Sequence, residues 1–303
     1  MRIVSLLPSA TETVALLGRE KDLVGRSSEC DAPASVRSLP EVMRPRTWDA
    51  ERSSADIDAR VRSVRSAGQS LYELDVPLLA RLRPDLILTQ DLCGVCSVTE
   101  AEVAAACAQA GLQPSILSLT PRSLVEVGAT IEAIGRAVGT GPRAARLARE
   151  LRRTEPPPTS APRPRVAVVE WLDPPILAGL WTSEMVDRAG GFSVGPPAGA
   201  VGERTRWSEI RRRRPEIVVL APCSFSLDRT VRELDRTRLG AELLELRTPG
   251  GVWIADEAYF SRPGPRLAQG IALLRALLGR GGRDRPMAVQ RWDPPRAERG
   301  VAG

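Results

Sequence analysis

Two stretches about half the chain apart carry the same local pattern. Leu79-Ala-Arg-Leu-Arg-Pro84-Asp85-Leu-Ile-Leu reads as a helix, a proline, an acidic residue and a buried strand, and the loop after it holds Cys93. Ile210-Arg-Arg-Arg-Arg-Pro215-Glu216-Ile-Val-Val-Leu has the same order and leads to Cys223. A supersecondary unit repeated at half the chain length predicts two related α/β lobes.

The remaining sequence alternates short apolar runs with helical patterns, which predicts parallel strands joined by helical crossovers. Strands are expected at 2–7, 23–26, 85–89, 115–119, 165–169, 217–220 and 252–255. Helices are expected at 75–82, 99–110, 182–189, 206–213 and 263–278. Ser9 and Glu12 are spaced as a capping box for the first helix, which Gly18 ends. Pro121 opens a helical stretch in which Leu124, Val127, Ile131, Ile134 and Val138 recur at helical spacing. Gly139 to Pro142 breaks it, and a second helix runs to about Arg153. The expected fold is α/β, with two Rossmann-like lobes with parallel sheets bridged by a long backbone helix. The lobes span 1–120 and 164–279, the bridging helix and a Pro-rich linker span 121–163, and 280–303 reads as a disordered tail.

The chain has 303 residues and no histidine. The usual general base and the commonest metal ligand are therefore missing, and Ser-His-Asp and Cys-His mechanisms are excluded. The net charge is +6, but the arginines are spread along the chain. The one dense run, Arg211 to Arg214, reads as a solvated helix face, so no nucleic-acid surface is expected. No segment offers the ~18 uncharged apolar residues of a membrane span. Pro8 and Glu12 interrupt the first apolar stretch and no small-residue cleavage site follows, so the sequence as written predicts a cytoplasmic protein with reduced thiols. A start site further upstream would make it periplasmic or cell-surface.

In open parallel sheets, ligands bind beyond the carboxyl ends of the strands. Those positions are rich in unusual residues. Cys30, Cys93, Cys96 and Cys223 fall in such loops, and Trp171, Trp181 and Trp253 stand at or beside them. Cys107 lies in an Ala-rich helix and reads as packing. Cys93 and Cys96 form one C-x-x-C. With Cys30 and Cys223 they could make a four-thiolate metal site if the lobes converge, or they could be a redox pair or inert thiols. The tryptophans read as flat apolar walls for a planar ligand, with core packing as the alternative. Trp48, in the irregular stretch 40–54, could belong to a lid. Acidic residues at these loops include Glu29, Asp31, Asp91, Glu170, Asp173, Asp256 and Glu257. No spacing among them singles out a catalytic pair, so they read as caps and loop anchors.

Several motifs resemble the iron-siderophore and cobalamin substrate-binding family. They are Arg2-Ile-Val-Ser-Leu-Leu-Pro-Ser-Ala-Thr-Glu12, Met185-Val-Asp-Arg-Ala-Gly190-Gly191 and the unit at 215–220. Glu29-Cys30-Asp31, the 91–96 loop, Glu170-Trp171-Leu-Asp-Pro174, Pro222-Cys223 and Tyr259-Phe-Ser-Arg-Pro-Gly-Pro-Arg266 are similar to its signal-less, cobalamin-binding-like branch. The resemblance covers residues 1 to about 278. It implies a class III periplasmic-binding-protein-like architecture with one rigid backbone helix, and a corrinoid, haem-like or chelated-metal ligand in the cleft. It also implies docking on arginines of an ABC permease through a surface glutamate, a position that Glu184 matches. Relatives carry histidine where this chain has Ser28 and Leu180, so any metal ligation by those histidines is absent here. The expected ligand contacts are Trp171, Trp181, Trp253, Tyr259, Phe225, Glu29, Asp31, Asp91 and Arg262. Cobalamin is the candidate ligand. The expected activity is binding, not catalysis.

Overall fold

The half-chain repeat is a repeat of hydrogen bonds. The computed structural model describes residues 1–46, 52–91, 98–153, 162–279 and 288–293. In the first lobe, β1 (Ile3–Ser5) lies parallel to β5 (Leu86–Thr89). The Asp85 carboxylate accepts the Arg2 amide at 2.7 Å, and Arg2 Nε donates to the Leu82 carbonyl at 2.7 Å. In the second lobe, β7 (Arg165–Leu172) lies parallel to β11 (Ile217–Leu220). There the Glu216 carboxylate accepts the Arg165 amide, and Arg165 Nε donates to the Arg213 carbonyl, both at 2.9 Å. Helices α3 (Val76–Leu82) and α8 (Trp207–Arg212) precede the two prolines. Arg83 and Arg214, each directly before its proline, take positive φ of 44° and 47°. Proline excludes its predecessor from the right-handed helical region, so each helix ends there and the chain turns into its strand.

The first sheet adds β2 (Leu23–Ser27), β3 (Glu41–Pro45), β4 (Tyr72–Leu74) and β6 (Ser115–Ser118), in the order β4-β3-β2-β1-β5-β6. All its neighbours are parallel except β3 and β4. The second adds β8 (Pro175–Leu177), β9 (Phe192–Ser193), β10 (Glu203–Arg204), β12 (Val252–Ala255) and β13 (Val289–Trp292). Its order is β10-β8-β7-β11-β12-β13, with β9 also on β7. The expectation of parallel sheets is thus corrected to mixed sheets with parallel centres. Only Asp173 and Pro174 separate β7 from β8, a link that permits a hairpin and no crossover. β13 comes from the segment expected to be a disordered tail. It pairs antiparallel with β12, from Val252 opposite Trp292 to Ala255 opposite Val289.

The other helices are α1 (Pro8–Leu16), α2 (Ser54–Ser66), α4 (Glu100–Gln109), α5 (Leu124–Ala137), α6 (Gly141–Arg152), α7 (Thr182–Ala189), α9 (Leu227–Arg236), α10 (Leu239–Glu245) and α11 (Leu267–Leu277). Several begin on sequence-encoded caps. Thr99 and Glu102 form a complete capping box at α4, and Ser123 accepts the Glu126 amide at α5. The box expected at Ser9 and Glu12 does not form. α1 starts earlier, with Pro8 in its first turn and Leu7 as a cap that makes no side-chain bond. Proline's fixed φ suits a first helical position, and Glu12 is left free for another role.

The backbone helix is followed by a second one, as the break at Gly139 to Pro142 predicts. α5 and α6 pack side by side so closely that a Cβ on Gly135 would lie 2.1 Å from the Cβ of Ala144. The apolar stripe of α5 joins the lobes. One continuous core takes in Ile3, Leu7 and Leu88 from the first lobe, Leu124, Val127, Ile131 and Ile134 from α5, and Val168, Met185 and Ile271 from the second. Each fully buried side chain of this size contributes about 1.5–3 kcal/mol. The outer face of each sheet has a separate core of its own. Because the lobes share a core through the bridge, swinging them apart would expose it.

Candidate functional site

The loops after the parallel strands of the two lobes face each other, and charged side chains cross between them. Arg262, in the loop after β12, is the centre of one crossing. Its Nη1 lies 2.6 Å from Asp31 and 2.9 Å from Glu12, both in the first lobe. Its Nε donates to Glu257 at 2.9 Å. Arg266 adds a second contact to Glu12 at 2.8 Å. Glu12 sits on the buried side of α1 at 5% exposure, and the two arginines are what its carboxylate faces. A second crossing joins α2 to the far lobe. The Ser54 amide and hydroxyl both donate to Glu233 Oε1, at 2.6 and 2.5 Å. Asp58 receives both Nη atoms of Arg204, at 2.6–2.9 Å.

Burial sets the electrostatics of the first crossing. It pushes Glu257 up to about 7 against the pull of Arg262, and it raises Glu12 and Glu29. Burial also works against charge on Asp31, but the Arg262 guanidinium outweighs it and holds that carboxyl below its usual range. Burial disfavours the Arg262 cation, and Glu257, Asp31 and Glu12 more than compensate. Arg262 thus ties Glu257 of its own lobe to Asp31 and Glu12 of the other.

Between the crossings lies a small aromatic group. Trp171 and Phe225 meet edge to face, with centroids 5.4 Å apart. The Arg229 guanidinium stacks 3.7 Å over Phe225. Glu29 reaches over from the first lobe to the Ser224 hydroxyl. Ser224 holds φ 61°, a conformation that costs a non-glycine residue on the order of 1–3 kcal/mol. The Trp171 indole N–H is buried and has no partner among the described residues.

The structure separates the three tryptophans expected to form walls. Trp171 alone keeps partial exposure. Trp181 is 3% exposed and donates to the Phe260 carbonyl at 2.7 Å, tying α7 to the 257–262 loop. Trp253 is 6% exposed and donates to the Gly250 carbonyl, before its own strand and away from the carboxyl ends. Both belong to the shared core, so neither offers an open ring face. Phe225 is fully buried and backs Trp171. Tyr259 is half-buried with Arg266 at 5.8 Å over its ring, and Asp91 is exposed.

The thiols do not converge among the described residues. Cys30 is 1% exposed, accepts the Thr11 hydroxyl at 3.1 Å, and is pushed by burial to about 11. Burial thus favours its neutral thiol form. Cys223 is partly buried with Ser261 Oγ at 3.5 Å. Cys93, Cys96 and Trp48 lie outside the described residues. Among those described, no three His, Cys, Asp or Glu side chains are placed to hold a metal ion. Glu184 is half-buried, and its Oε2 accepts the Leu124 amide at 2.6 Å, capping α5.

Sequence reasoning singled out Arg262, Asp31 and Glu29. It missed Glu12 as a partner, and it missed Arg266, Asp58, Arg204 and Glu233. Glu12 did carry a signal, as the one charged residue of α1, set between Thr11 and Thr13. The partners in α2 and α9 lie in segments whose patterns are mostly polar.

No protein-family model matches the chain, and no curated protein sequence matches it. Solved structures do. A periplasmic heme binding protein from Pseudomonas aeruginosa is 20% identical over 96% of this chain and 97% of its own, with a TM-score of 0.68. The periplasmic vitamin B12 binding protein BtuF of Vibrio cholerae is 19% identical over 92% and 96%, with a TM-score of 0.63. The periplasmic heme-binding protein BhuT, solved in complex with two hemes, is 20% identical over 91% and 97%, with a TM-score of 0.61. No helix among the described residues is long and apolar enough to cross a membrane. The chain has the two-lobed fold of these periplasmic binding proteins, with two mixed α/β sheets joined through a helical bridge.

Proposed function

We propose that this protein binds a corrinoid, cobalamin-like, or related chelated-metal ligand between its lobes and performs no chemistry on it. One observation carries the reading. Trp171, near the end of β7, meets Phe225, and its indole N–H is buried without a partner among the described residues, in a fold seen in heme and vitamin B12 binding proteins. A buried donor with no acceptor costs about 1–3 kcal/mol, a cost that a ligand acceptor removes. Trp171, Tyr259, Glu29 and Asp91 are the proposed contacts, with Asp31 and Arg262 framing them. A thiolate metal or redox centre draws no support from Cys30, which is buried and neutral.

The test is titration with cobalamin and with haem, followed by ligand absorbance and tryptophan fluorescence. Saturable quenching that is lost in Trp171→Ala is expected. No change with either compound refutes the reading. The proposal includes an ABC permease as partner, with docking through the Glu184 oxygen that α5 does not use. Co-purification with a permease would support it, and fractionation would decide between the cytoplasmic location expected from the sequence and a periplasmic one.

A further inference from the structure

We infer that the outer face of α6 is a docking surface for an anionic lipid bilayer, on which the protein lies peripherally through a row of arginines. The inference concerns the helical bridge and is independent of the cleft and of what binds there.

Arginine is spread along the chain, but net charge is not. Residues 141–153 hold five arginines and a single acid, Glu150, a balance of +4. The whole chain carries +6, so everything outside these residues contributes only +2. The fold puts this charge on one side. Ala144, Ala148 and Leu151 turn into the shared core, and Arg143, Arg146, Arg149 and Arg153 stand exposed on the opposite face. At the helical rise the row is about 15 Å long.

The other arginine-rich run, at α8, is handled differently. Arg211 pairs with Glu245, Arg212 with Glu209 and Arg213 with Glu203, so that run is neutralised within the protein. At α6, Glu132 pairs with Arg152. The four arginines of the row make no ion pair among the described residues, although Arg143 leans over Gly18 at the end of α1. Arg146 is three residues from both Arg143 and Arg149, and Arg149 is four from Arg153. Like charges at these spacings repel along a helix. The row therefore weakens the helix that carries it, and an opposite charge from outside removes that cost.

A bilayer suits the row better than nucleic acid or an acidic protein. Guanidiniums pair bidentately with phosphates, and an anionic bilayer offers phosphates at any spacing across a plane. An acidic protein would have to match the row with carboxylates in register. No aromatic residue occurs in 121–153, so exposed bases would find nothing to stack on. Each arginine held near an anionic lipid surface raises partition about fivefold.

The test is sedimentation of the full chain with vesicles of phosphatidylglycerol mixed with phosphatidylcholine, and with vesicles of phosphatidylcholine alone, at low and moderate salt. Binding is expected to the anionic vesicles only, and it should fall with added salt. Arg146→Gln combined with Arg149→Gln should lower the partition about thirtyfold. Arg211→Gln combined with Arg212→Gln removes as much charge from the neutralised run and should lower it far less. The thermal midpoint of the α6 variant should hold or rise, because repulsion has been removed. No binding to anionic vesicles at low salt, equal binding to neutral ones, or an equal loss in the two variants overturns the inference. A lower midpoint for the α6 variant would make those arginines structural and overturn it too. Tighter binding to a mixed-sequence DNA duplex at the same salt would assign the row to nucleic acid instead.

Discussion

Replacing Arg262 with methionine tests the lock between the lobes. The guanidinium is 13% exposed and contacts Glu12 and Glu257, whose side chains are 5% and 9% exposed, as well as Asp31. Methionine keeps much of the volume and removes the cation. Breaking a buried pair by deleting one partner costs about 3–5 kcal/mol, because the remaining charge is left buried and unpaired. Arg266 still holds Glu12, so the lower end of that range is expected at pH 8. The loss must also depend on pH. In the native protein burial pushes Glu257 up to about 7, so the folded state keeps a proton that the unfolded chain releases between about pH 4.5 and 7. The stability linked to this group is therefore full below about pH 4.5 and falls as pH rises towards 7. In Arg262→Met the attraction that lowers Glu257 and Glu12 is gone, and both rise further. At pH 5 Glu257 is protonated with or without the arginine, so the loss should shrink to about 1–2 kcal/mol, from the Asp31 pair and the broken hydrogen bonds. Urea unfolding at pH 5 and pH 8, followed by both circular dichroism and tryptophan fluorescence, measures the difference. Adding Glu257→Gln to the variant should recover part of the loss at pH 8. A cost under about 1 kcal/mol at pH 8, or an equal cost at the two pH values, would refute the reasoning.

The close approach of α5 and α6 predicts that Gly135→Ala costs about 1–3 kcal/mol through overpacking against Ala144, read as a fall in thermal midpoint. A midpoint unchanged within error would mean that the helices part at no cost. The repeated acid that holds the first amide of each lobe predicts similar losses, about 1 kcal/mol each, for Asp85→Ala and Glu216→Ala in chemical denaturation. A marked inequality would show that the two positions are not equivalent. Cys30, buried and pushed to about 11, should resist iodoacetamide at pH 8 in the folded protein and react once urea is added. Rapid alkylation of Cys30 in the native state would contradict its placement.

The sequence alone determined what short-range physics controls. The Pro-acid units end α3 and α8 and start β5 and β11 because proline restricts the residue before it, whatever surrounds it. Thr99 with Glu102, and Ser123 with Glu126, mark helix starts because a cap and its amide are three residues apart. Apolar runs long enough for a strand but not for a helix placed β5, β11 and β12 correctly. Only the tertiary structure decided the rest, because the deciding partners are distant in sequence. Glu12 was legible as an oddity in α1, but its partner Arg262 stands 250 positions away. Trp171, Trp181 and Trp253 look alike in the sequence, and what separates them is tertiary: a carbonyl at Phe260 fixes one and a carbonyl at Gly250 another, while the Trp171 N–H has no partner among the described residues. β13 has too little apolar pattern to declare itself, and it becomes a strand because the edge of β12 offers it hydrogen bonds.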